Sequence, residues 1–65
     1  MTTKQALVLE FIRMYIEMKG FSPSLQDIAH GVGLRSKGNI HRIVHTLKRM
    51  NHLTVGNGFR AIKVR

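Results

Sequence analysis

The stretch from Gly20 to Ser36 constrains this chain more than any other, because it sets two helix stops and two helix starts in quick succession. Gly20 stands where a left-handed residue closes a helix, and Pro23 prevents continuation. Ser24 followed by Asp27 is a close relative of the capping box. There, hydroxyl and carboxylate satisfy free backbone N–H groups reciprocally, and Asp27 also suits the positive end of the helix dipole. Leu25, Ile28, Ala29 and Val32 then form the inward face of a short helix over about 25–32. Gly33 supplies a sharp turn after it, and Ser36 is a good N-cap for the next helix. Gly31, inside the short helix, costs about 1 kcal/mol relative to Ala and has no explanation in the sequence.

The flanking segments fit around this turn. Thr2 and Gln5 have capping-box spacing at the start of a first helix over about 3–19. Its apolar stripe is Val8, Phe11, Ile12, Tyr15 and Ile16. A third helix over about 37–50 places Ile40, Ile43, Val44, Leu47 and Met50 on one face. After Asn51 the period changes to two β-prone runs, Leu53–Val55 and Phe59–Val64, joined by Gly56-Asn57-Gly58, a strong hairpin signal. The order predicts one mainly α domain over residues 1–65, a three-helix winged helix-turn-helix with a small β-hairpin wing over about 53–64. Ala29 is small enough for the second and third helices to cross closely, and Leu34 plugs the gap beneath the turn.

Charge separates the two halves. The 65 residues carry a formal net charge of +8. Lys4, Arg13 and Lys19 balance Glu10, Glu17 and Asp27, so the whole excess lies from Ile28 onward, where no acid occurs. All four histidines lie there too. A scattered excess would read as a solvated surface, whereas one confined to a contiguous segment points to a polyanion partner. Lys37, Asn39, His41, Arg42, His45, Lys48 and Arg49 make a polar face on the third helix without a negative charge. Arg60, Lys63 and Arg65 line the second strand or its end. Such a helix can lie in the major groove of double-stranded DNA while the wing holds phosphates.

The residues that carry a resemblance are Phe21-Ser-Pro-Ser-Leu-Gln-Asp-Ile-Ala-His-Gly-Val-Gly-Leu-Arg-Ser36 and Ile40-His-Arg-Ile-Val-His-Thr-Leu47. Together they resemble the DNA-binding domain of LexA-type repressors, from Thr2 through Arg65, with the wing the loosest part. The resemblance implies a bacterial or phage transcriptional repressor, and without a targeting signal the cytoplasm is the expected compartment. It also implies that Ser36, Gly38, Asn39, His41 and Arg42 face the operator. Lys37 and His45 of the acid-free helix face and Arg60 and Lys63 of the basic wing complete the expected DNA-binding set. Asn39 suits adenine and Arg42 suits guanine by bidentate geometry, while either side chain also suits a phosphate. LexA proper adds a peptidase domain with a Ser-Lys dyad, through which it largely dimerises. The serines here, Ser22, Ser24 and Ser36, all fall in the helix-turn-helix region, so self-cleavage is not expected. The chain is then an excised domain or a stand-alone relative.

Competing readings are weaker or simpler. The domain is small for an enzyme cleft, its three carboxylates are dispersed, and no cofactor is implied. Without Cys there is neither a disulfide nor a thiolate metal site. His41 and His45 at i, i+4 have the spacing of a zinc pair but lack further ligands. A DNA-facing role for them predicts affinity that rises as pH falls through about 6.5. Met14, Met18 and Met50 read as core or edge filler. Phe59 reads as a wing anchor, and Tyr15 as a helix residue more than a stacking platform for single strands. No segment reads as a membrane span or signal peptide. A protein-docking winged helix and a non-specific nucleic-acid binder are the alternatives. Without a spare apolar helix the chain is expected to be a monomer in solution. Pairing on a DNA palindrome or through a further domain are its routes to a dimer.

Overall fold

The computed structural model describes residues 1–33, 37–56 and 62–65, with only the backbone of Lys37. Three helices, α1 (Thr3–Lys19), α2 (Leu25–Val32) and α3 (Lys37–Arg49), precede a hairpin of β1 (Leu53–Val55) and β2 (Ile62–Val64). The strands are antiparallel, with Leu53 opposite Val64, Thr54 opposite Lys63 and Val55 opposite Ile62. This is the winged helix-turn-helix expected from the sequence.

Local chemistry explains where the helices begin and end. Thr2 Oγ1 accepts from the Gln5 N–H at 3.1 Å, and the Thr2 N–H donates to Gln5 Oε1 at 3.0 Å. Ser24 and Asp27 repeat the exchange at the start of α2, at 3.0 and 3.1 Å. Asp27 does more than cap: its Oδ2 also accepts from the Tyr15 hydroxyl at 3.3 Å, which ties the start of α2 to the middle of α1. Gly20 and Gly33 close α1 and α2 with φ of 81° and 74°, values a Cβ would strain. Asn51, with φ 65°, does the same after α3, and Asn tolerates this region better than most residues.

All five elements contribute to one core. Val8, Leu9 and Ile12 of α1 meet Ile28 and Ala29 of α2, Ile40, Val44 and Leu47 of α3, and Leu53 and Ile62 of the hairpin. Phe11, Ile16, Leu25, Val32, Ile43, Val55 and Val64 pack around it, partly buried. Gly31 now has its reason. A Cβ at this position would fall on Cε2 and Cζ of the Phe11 ring and within 2.6 Å of Cδ2. The missing side chain is the space in which α1 lays an aromatic ring on the backbone of α2.

One expectation needs correction. Met14, Met18 and Met50 do not fill the core; they are 51%, 78% and 41% exposed. On α1 the inward side is already occupied by Val8, Leu9 and Ile12, and Met14 and Met18 line up with exposed Leu7 on the opposite side. Met50 lies beyond the end of α3, which closes at Arg49. Leu34, Asn57, Gly58 and Phe59, assigned to the turn and the wing by the sequence, lie outside the described residues.

Candidate nucleic-acid interface

With Ile40, Val44 and Leu47 buried, the geometry of α3 decides which side chains face outward. Gly38, Arg42, His45 and Arg49 recur at intervals of four, three and four, so they form one line along the helix, and all are exposed. His41 is exposed beside that line, its ring centroid 4.4 Å from that of His45 at an interplanar angle of 49°. No group of three His or carboxylate side chains suited to a metal occurs among the described residues. Thr46 turns its hydroxyl back to the Arg42 carbonyl at 3.0 Å, a bond within the helix.

Asn39 is exposed as well, but on the side nearer α1. With Arg42 and Ile43 it lines a shallow cleft of ≈ 190 Å³ whose other wall is Thr2, Lys4 and Gln5. Lys63 occupies the outward position of β2 between buried Ile62 and half-buried Val64. It lines a groove with Arg13 and Glu17 of α1 and Phe21 just beyond its end. Ser36 and Arg60 lie outside the described residues, and Lys37 is placed only by its backbone at the start of α3. The structure thus brings Gly38, Arg42 and His45 onto one face, sets His41 beside them, and carries Asn39 to its edge.

Two further cations join this surface, Arg49 from the polar face already read in the sequence and Lys4, which the sequence did not single out for it. Arg49 continues the Arg42–His45 line, a relation its spacing could have revealed. Lys4 belongs to the electrically neutral half of the sequence and reaches the α3 side only through the packing of α1.

Tyr15 is committed elsewhere. Its ring lies 5.8 Å from Phe11 and 5.9 Å from Phe21, and its hydroxyl is given to Asp27, so it is no open platform for a base. Among the described residues no helix is long and apolar enough to cross a membrane.

Comparison with known proteins gives the surface a context. The sequence model described as LexA DNA binding domain matches residues 1–58. A LexA repressor of Clostridioides difficile (strain 630) is 38% identical over 53 residues, covering 82% of this chain and 25% of that protein. One from Pelotomaculum thermopropionicum is 40% identical over 53 residues, covering 82% and 26%. The LexA repressor of Pseudothermotoga lettingae is 34% identical over 64 residues, covering 98% and 32%. The chain therefore spans between a quarter and a third of the length of these relatives. The matched region takes in both capping boxes, the glycine turn and all of the acid-free third helix, and the chain belongs to the LexA DNA binding domain family.

Proposed function

We propose that this chain binds double-stranded DNA with sequence preference as a module of a transcriptional repressor, without catalysis of its own. The observation that carries the proposal is the exposed face of α3, cationic and amide-bearing with no carboxylate along its length. α3 enters the major groove. Ser36, Lys37, Gly38, Asn39, His41, Arg42 and His45 meet the operator, Asn39 toward adenine and Arg42 toward guanine. Arg60 and Lys63 hold phosphates at the groove edge. The chain is a monomer in solution, and two copies align on a palindromic site in the bacterial cytoplasm.

Selection of bound duplexes from a random pool, followed by salt titration on the selected and a random duplex, tests this. Log affinity falls with log salt by about 0.9 per phosphate neutralised, on both duplexes. A sequence-reading domain keeps its preference as salt rises. Equal affinity for the selected and the random duplex across the titration would reduce the activity to non-specific binding. Weak binding even at low salt would favour a protein-docking role.

A further inference from the structure

We infer that Lys4, in the first turn of α1, seats one phosphodiester of the bound duplex and so fixes the register of α3 against the bases. The inference rests on the DNA-binding reading above and extends it to a helix that the charge pattern treats as scaffold.

Its basis is the cleft between α1 and α3. Lys4 and Arg42 line the same shallow space of ≈ 190 Å³, together with Thr2, Gln5, Asn39 and Ile43, and no carboxylate is among them. The first acid along α1 is Glu10, six residues on and so about 9 Å away along the axis. Its carboxylate lies 3.9 Å from the Arg13 guanidinium. Two cations therefore share an open cleft with no internal anion beside them, which disfavours the free protein slightly and favours an arriving anion. Thr2 Oγ1 accepts from the Gln5 N–H, and its own hydroxyl proton remains for an anionic oxygen.

The cleft is walled by Asn39 and Arg42, the side chains assigned to base edges, so a duplex lying on α3 carries its phosphate row past Lys4. Phosphate contacts position a protein and base contacts specify the sequence. Lys4 is a positioning residue in that sense.

The test compares wild type with Lys4→Ala, Lys4→Arg and Lys4→Glu on a selected and a random duplex. Lys4→Ala is expected to weaken both duplexes equally, with Lys4→Arg restoring affinity. The advantage of wild type over Lys4→Ala should shrink about 3.5-fold between about 50 and 200 mM salt, the loss of one phosphate contact. A single methylphosphonate at the contacted position should weaken wild type and leave Lys4→Ala unchanged. Lys4→Glu separates binding from folding. An acid in the first turn favours the helix dipole, so its melting temperature should hold or rise while its affinity falls below that of Lys4→Ala.

Wild type that binds duplex while Lys4→Ala keeps the same salt slope would overturn the inference alone. Affinity losses that track melting temperature would do so as well. Inorganic phosphate that erases the wild-type advantage at constant ionic strength would assign the cleft to free phosphate instead. Wild type that fails to bind duplex would overturn the function and this inference together.

Discussion

Replacing Gly31 with Ala sets two effects of known size against each other. In the middle of a helix, Ala is favoured over Gly by about 1 kcal/mol. Here, though, the new Cβ would stand 2.6 Å from Phe11 Cδ2, with Cε2 and Cζ closer still. Carbon atoms rest at about 3.5–4.0 Å, so the ring must retreat by more than about 1 Å. It is not free to swing: it packs against the core and lies 5.8 Å from the Tyr15 ring, which Asp27 holds through its hydroxyl. Overpacking of this kind costs about 1–3 kcal/mol. The net expectation is a loss of about 1 kcal/mol, a fall in melting temperature of roughly 4–8 °C for a domain this size. Urea unfolding of a double-mutant cycle with Phe11→Leu isolates the cause, since Leu has neither Cε2 nor Cζ. In that background Gly31→Ala should become neutral or stabilising. The same destabilisation in both backgrounds would refute the role given to the Phe11 ring.

The other predictions concern the caps and the DNA surface. Ser24→Ala removes an N-cap that is only 4% exposed, and thermal unfolding should show a loss of about 1–2 kcal/mol; an unchanged midpoint would contradict the capping role. Arg42→Ala should lower affinity for the selected duplex by about 1–3 kcal/mol and relax preference at one base pair. Lys63→Ala should instead weaken every duplex alike and flatten the salt dependence; equal behaviour of the two variants on random DNA would dissolve this division of labour.

The elements legible in the sequence are those whose determinants are local. Thr2–Gln5 and Ser24–Asp27 carry their structural meaning in three-residue spacing, and Gly20 and Gly33 in a single backbone preference. Where three-dimensional packing decides, the sequence falls silent or misleads. Apolar residues surround much of α1, so periodicity alone does not separate buried Leu9 from exposed Leu7, or a core methionine from Met14. Gly31 is explained only by a ring on another helix. At the candidate site, the outward line through Arg42 and His45 follows from the helix period. The meeting of Lys4 with Asn39 and Arg42 depends on how α1 lies across α3, which no spacing encodes.

The junction after α3 has a mechanical consequence. Thr46, Lys48 and Leu47 carbonyls accept from the N–H groups of Met50, Asn51 and His52, each at 3.0 Å, so the helix passes through left-handed Asn51 without a free linker. Leu53, 1% exposed, enters the core at once, and the Arg65 N–H returns to the His52 carbonyl at 3.1 Å. β1 and β2 are therefore joined to α3 without slack, as one jaw of a calliper is to the other. In the proposed complex a duplex of another groove width must deform to touch both jaws. Groove shape then enters the affinity as elastic energy, so base pairs that no side chain reaches still contribute to the choice of site.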